Sequence, residues 1–148
     1  MFCREILHGS SQYEESVALR DEVLRRPLGL TFSPEMLGSE ASDFHLACYD
    51  QEGDLLACLI LTPEGSEEIR MRQVAVRPDL QGKGIGRRIV EFSEKFAIGE
   101  GFTLMTMHAR ETAVPFYERL GYERYGERFE EVTIPHWHMR KSLGGNEE

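Results

Sequence analysis

Val74-Ala75-Val76-Arg77-Pro78-Asp79-Leu80-Gln81-Gly82-Lys83-Gly84-Ile85-Gly86-Arg87-Arg88-Ile89 is the stretch on which the reading of this chain turns. An apolar Val74-Ala75-Val76 run stops at Arg77-Pro78, and the glycines at 82, 84 and 86 lead straight into a helical pattern. Strand, glycine loop and helix start therefore follow one another without a gap. Glycines let a backbone approach a ligand closely. The unpaired N–H groups of a helix's first turn, at the positive end of its dipole, attract phosphate oxygens.

The helix is well marked. Ile85, Ile89, Phe92 and Phe96 recur at helical spacing, Arg87, Arg88, Glu91, Glu94 and Lys95 fill the other faces, and Gly99 and Gly101 end it. The glycine spacing is not the G-x-G-x-x-G of a dinucleotide fold, and no Gly-Lys-Ser or Gly-Lys-Thr marks a nucleotide-triphosphate loop. With Gln81, Lys83 and Arg87 beside the glycines, an anion site is favoured over a plain tight turn.

Upstream, residues 2–7 read as a strand, and Ser11 to Glu14 spells a capping box for a helix over 11–25 that Pro27 closes. Tyr13, Val17, Arg20 and Leu24 share one stripe of that helix. Ser33-Pro34 starts a brief second helix that Gly38 ends. Strands follow over 44–49, 55–61 and 67–76. In the last, apolar side chains move from odd positions (Ile69, Met71) to even ones (Val74, Val76), which predicts a β-bulge near Arg72-Gln73. After the long helix come a strand over 102–108, a helix over 110–120, and an antiparallel pair over 122–129 and 132–139. Pro135 suggests an edge or irregular place for the final strand. The order β-α-α-β-β-β-α-β-α-β-β is a mixed α/β sheet with helices on both sides.

At 148 residues the chain is expected to form one domain over 1–143, with a disordered tail at 144–148. Seventeen basic against 26 acidic residues give a formal net charge of −9, which disfavours nucleic acid and favours cationic partners. Cys3, Cys48 and Cys58 include no Cys-x-x-Cys pair and read as reduced core thiols of a cytoplasmic protein. No apolar run is long enough to span a bilayer, so no membrane association is expected.

A second motif lies downstream. Ala113-Val114-Pro115-Phe116-Tyr117-Glu118-Arg119-Leu120-Gly121-Tyr122 resembles the Ala-x-x-Phe-Tyr-x-x-x-Gly-Phe/Tyr helix and strand of the GNAT superfamily of N-acetyltransferases. Gln81-x-x-Gly84-x-Gly86 after Val-Ala-Val resembles the pyrophosphate loop of that same superfamily. The tail Phe129-Glu130-Glu131-Val132-Thr133-Ile134-Pro135-His136 is similar to an uncharacterised branch whose members end in a Glu-x-x-Ile-Pro-His strand.

The resemblance implies an acetyl-CoA-dependent N-acetyltransferase with a GNAT-like fold, a bulged and splayed central strand, and no metal. The backbone of Val74, Ala75 and Val76 would pair with the pantetheine arm. Gln81, Gly82, Lys83, Gly84, Ile85, Gly86 and Arg87 would form the pyrophosphate loop. Arg110 stands where many relatives carry a CoA-holding Asn, and it could reach a phosphate instead. Tyr117 would protonate the departing thiolate. Relatives often use a strand Glu as general base near the position of Arg70 or Arg72, and here that slot is basic.

An amine near its reference pKa of about 10.4 must lose a proton before attacking a thioester. The candidates for taking it are His108 and His136, with Glu111, Glu130, Glu131 and His138 nearby in the sequence or by alternation. The expected acceptor is a small amine. The rivals are a protein lysine or N-terminus, and a CoA-binding module without chemistry. A homodimer is expected, because relatives often make dimer contacts through their last two strands.

Overall fold

The computed structural model describes residues 1–144, so most of the expected 144–148 tail lies outside the described residues. The strands are β1 (Phe2–Ile6), β2 (Phe44–Tyr49), β3 (Leu55–Pro63), β4 (Glu68–Val76), β5 (Leu104–Arg110), β6 (Glu123–Glu131) and β7 (Ile134–Ser142). The helices are α1 (Ser11–Arg20), α2 (Pro34–Gly38), α3 (Ile85–Gly99) and α4 (Val114–Arg119). They form a seven-stranded sheet in the order β1-β2-β3-β4-β5-β7-β6. The β4–β5 ladder is parallel, while β1–β2, β2–β3, β5–β7 and β6–β7 are antiparallel. Among the described residues no helix is long and apolar enough to cross a membrane.

The chain divides into two compact units. One comprises Met1–Thr62 with Gln73–Ser93, and the other Pro63–Arg72 with residues from Glu94 onward.

In the first unit, α1 lies on the β1–β3 part of the sheet. Ile6, Leu19, Ala47, Tyr49, Cys58 and Ala75 form a buried cluster with Val23, Leu24 and Leu55 packed on it. Ser10, one residue before the expected capping box, caps α1 by accepting from the Tyr13 N–H at 3.1 Å. The helix expected over 11–25 is α-helical only to Arg20 and continues as a π-helical turn over Asp21–Arg25. Ser33 caps α2 as expected, accepting from the Met36 N–H with Pro34 in the first turn.

The reading of three reduced thiols is corrected. Cys3 and Cys48 face one another in the β1–β2 register and form a disulfide, leaving Cys58 free and buried. The two lie 45 residues apart in sequence, and only the strand register brings them together.

In the second unit, Ile69, Met71, Met105, Met107, Ala109, Val114, Tyr117 and Met139 are buried. The expected edge position for the last strand is also corrected. β7 lies between β5 and β6, and Pro135 is tolerated because it sits second in the strand, opposite Glu130 near the β6–β7 turn.

The irregularity expected in β4 is present at Gln73, whose φ of 54° is left-handed. The side-chain argument for it does not hold. Ala75 is buried, while Val74 and Val76 are only half-buried.

Candidate active site

The loop before α3 belongs to the first unit. Pro78–Leu80 makes a single 3₁₀ turn, and the Gln81 side chain donates back to the Val76 carbonyl at 3.2 Å, tying the loop to the end of β4. Gly82 and Gly84 take φ of 82° and 86°, a region that side-chain-bearing residues rarely enter. A Cβ built on either would meet no atom within 4 Å, so the space above this backbone is open. No acidic side chain stands in the first turn of α3, leaving its positive dipole end uncompensated. Lys83, Arg87 and Arg88 are exposed, and Arg87 is held by Glu91 one turn on at 2.9 Å. The arrangement fits a diphosphate: open space, left-handed glycines, cationic side chains and a helix N-terminus.

Gln73 is held from the other side by a network the sequence reading missed. Buried Arg20 donates to both Glu40 carboxylate oxygens at 2.9 Å and to the Gln73 side-chain oxygen at 2.8 Å. Tyr13 adds a 2.7 Å hydrogen bond to Glu40, and a His45 ring nitrogen meets the Glu40 carbonyl at 2.9 Å. Burial raises the Glu40 pKa, but the hydrogen bonds from Arg20 and Tyr13 and the Arg20 charge outweigh it, so the carboxyl sits below its ordinary value. The signal was present: Arg20 occupies the same α1 stripe as Tyr13, where a charge needs a partner.

The other candidates belong to the second unit. Tyr117 is buried on α4, its ring 5.0 Å from Phe116 and 5.8 Å from Tyr122, and burial raises its phenol pKa well above 10. Tyr122 donates to Glu94 at 2.7 Å, and Lys141 holds the same carboxylate at 3.0 Å. Arg110 ends β5 opposite His136 of β7.

The two histidines proposed as bases differ sharply. His136 is buried, with Nδ1 2.8 Å from the Ile134 carbonyl. His108 keeps a quarter of its side chain in solvent, and its Nδ1 lies 2.8 Å from Glu131 and 2.9 Å from an Arg70 N–H. Around it stand Phe129, with rings 5.1 Å apart, and His138 at 4.9 Å. Phe129 in turn stacks on His138 at 4.3 Å. Glu111 is drawn elsewhere, to Arg128 and Trp137.

Comparison with known proteins fits this geometry. A family model for the acetyltransferase (GNAT) domain matches residues 24–143. An uncharacterised acetyltransferase of Streptococcus pyogenes is 38% identical over 62 residues, covering 42% of each chain, so the match spans less than half of that relative's length. The structure of a putative N-acetyltransferase from Lactobacillus plantarum superposes with a TM-score of 0.84 at 25% identity, covering 97% of this chain and 99% of its own. An aminoglycoside 6'-N-acetyltransferase complexed with coenzyme A also gives a TM-score of 0.84 over the full length of both chains; at 17% identity that likeness speaks for the fold alone. The glycine loop ahead of α3, the Tyr117 helix and the domain match together place this chain in the GNAT acetyltransferase family.

Proposed function

We propose that the protein transfers the acetyl group of acetyl-CoA to a primary amine of a small, cationic molecule, by direct attack of the amine while both substrates are bound. The observation that carries this reading is the open cradle at Gly82 and Gly84 ahead of α3, whose first turn carries no acidic side chain, which suits the CoA diphosphate. The backbone of Val74 to Val76 lies past the last β4–β5 pair, Met71↔Met107, and offers strand-like hydrogen bonds to the pantetheine amides. The exposed Lys83 supplies a further cationic group beside the loop. The net charge of −9 favours a cationic acceptor over any phosphate polymer.

In the reaction, the acceptor ammonium gives one proton to a base. The free amine forms the C–N bond and the C–S bond breaks. A second proton leaves nitrogen as the amide forms, matching the one the thiolate gains, so each turnover releases one proton to the medium. Holding amine and thioester together supplies much of the acceleration. Tyr117 assists the leaving sulfur. Burial raises the Tyr117 pKa, so the phenol is protonated at neutral pH and donates to the departing thiolate, regaining its proton as the amide nitrogen loses one.

Gly84→Asp tests the loop. It places a carboxylate where the diphosphate sits, and acetyl-CoA affinity measured by calorimetry should fall by at least about tenfold, about 1.4 kcal/mol. Unchanged affinity in a folded variant removes the loop from the argument. Free-thiol release across a panel of amines tests the transfer itself, and CoA binding without turnover on any amine would favour a module that has lost its chemistry.

A further inference from the structure

His108 Nδ1 faces two partners that make opposite demands. The Arg70 guanidinium, 2.9 Å away, is only a donor and needs a lone pair on that nitrogen. The Glu131 carboxylate, 2.8 Å away, is an acceptor and needs a proton there. One ring nitrogen cannot satisfy both, so the two contacts correspond to two forms of the imidazole. With Nδ1 accepting from Arg70, the proton is on Nε2 and that nitrogen cannot serve as a base. With Nδ1–H donating to Glu131, the Nε2 lone pair is available. Which form prevails decides whether His108 can act.

We propose that Glu131 is a positioning residue that holds the proton on His108 Nδ1, making Nε2 the acceptor of the substrate ammonium's proton, and that Arg70 opposes it and keeps the resting imidazole neutral. This rests on the acetyltransfer reading above. The proton passes from the ammonium nitrogen to Nε2, giving an imidazolium whose Nδ1–H bond to Glu131 becomes charge-assisted, and it leaves to solvent after the amide has formed. His136, the other candidate base, has its Nδ1–H donating to the Ile134 carbonyl, which leaves Nε2 as its free nitrogen, but it is buried where His108 keeps a quarter of its side chain in solvent.

The surroundings bear on both forms. His108 faces Arg70 from β4, Glu131 from β6 and His138 from β7. Arg72, Glu64 and Tyr125 act on Arg70, and His136 acts on Glu131. Burial lowers the His108 pKa, the Glu131 hydrogen bond raises it, and the Arg70 charge lowers it; the outcome is below the ordinary histidine value. The segment carrying Glu131 is itself strained. Val132 and Thr133, next in the chain, have φ of 47° and 62°, where β-branched residues are rarely found. Such strain persists where surrounding structure enforces it, often at functional sites.

Nitrogen-15 NMR of the histidine rings, with and without Glu131→Ala, Glu131→Gln and Arg70→Gln, tests the proposal in the intact protein and needs no substrate. The wild type should show His108 protonated on Nδ1 at neutral pH. Glu131→Ala should move the proton to Nε2, and Glu131→Gln should restore Nδ1–H, because the amide oxygen still accepts. Removing the Glu131 charge should lower the His108 titration midpoint, and Arg70→Gln should raise it. The acidic limb of kcat/KM on the best acceptor amine should move in the same two directions, with kcat falling at least about tenfold in Glu131→Ala and recovering in Glu131→Gln. A tautomer and midpoint that ignore Glu131 and Arg70, in a protein that still acetylates amines, overturn the positioning role alone. So does an Nδ1–H shift with no change in kcat. If the wild type acetylates no amine, the acetyltransfer reading fails and takes this proposal with it.

Discussion

Arg20 and Glu40 meet at 2.9 Å, and so do Arg87 and Glu91, yet the two pairs have different consequences. The first pair has side chains 1% and 4% exposed, while the second has 67% and 46%. In water the attraction is largely screened, and an exposed pair contributes at most about 0.5 kcal/mol. Out of water, removing one partner leaves an uncompensated charge, at a cost of about 3–5 kcal/mol. Glu40→Ala should therefore lower unfolding free energy by about that amount in urea, and Glu91→Ala should stay within about 0.5 kcal/mol of wild type. Equal effects would mean that Arg20 finds another partner or water. Tyr117→Phe sits at the same scale. The ring keeps its place, so acetyl-CoA affinity should hold while kcat falls by about tenfold or more, the range expected for one lost hydrogen bond to developing charge. Unaltered kcat would reduce Tyr117 to a core ring. The places of the glycine loop and Tyr117 in the fold were legible because their motifs are contiguous in the chain. The Arg20 network was legible only in part: the shared stripe with Tyr13 marks a charge that needs a partner, but Glu40 and Gln73 stand 20 and 53 residues away and nothing local points to them.

Between β6 and β7 the chain reverses through Val132 and Thr133, two β-branched residues in the left-handed region. A two-residue turn of this kind needs positive φ at both positions and is ordinarily filled by Asn-Gly. From sequence, Val132 and Thr133 looked like the start of the last strand, because β-branched residues favour strands and Glu130-Glu131 looked like the connection. The structure moves the turn two residues on, and this carries Glu131 into β6 beside His108. The register of Glu131↔Ile134 overrode the local preference of the turn residues. By contrast, the long α3 was read almost to the residue, since its apolar stripe and its bounding glycines agree with its tertiary role. Replacing Val132-Thr133 with Asn-Gly should relieve left-handed strain of about 1–2 kcal/mol per residue, partly offset by the flexibility of Gly. The melting temperature should rise. If it falls instead, the exposed Val132 side chain or the Thr133 hydroxyl bond to the Val132 carbonyl contributes more than the backbone strain costs.

Taken over the whole molecule, the buried titratable groups confine stability to a window of pH. His45 and His108 have pKa values held below the ordinary 6.5, chiefly by burial, so the unfolded chain binds protons first as pH falls. Their contribution is complete above about 6.5 and is lost as pH drops through the folded-state values. Glu40 and Glu131 lie below their ordinary 4.5, because hydrogen bonds and neighbouring cations outweigh burial, and their contribution is lost further down, as pH falls through their folded values. The alkaline side has the opposite sign. Burial pushes Cys58 from 9.0 up to about 12, and burial with the Glu40 hydrogen bond pushes Tyr13 from 10.0 up to about 12. There the unfolded chain loses protons first, and stability present below about 9 is lost as pH climbs toward 12. Melting temperature should therefore be flat from about pH 7 to 8.5, fall through an acid shoulder below about 6.5, fall faster below about 4.5, and decline again above about 9. Replacing His45 and His108 together by Gln should flatten the shoulder while leaving the alkaline decline. Cys58→Ala should delay the alkaline decline and leave the shoulder intact. Scanning calorimetry of the three proteins from pH 4 to 10 separates these limbs. A shoulder that persists without both imidazoles would show that neither His45 nor His108 sets the acid limb near pH 6.5.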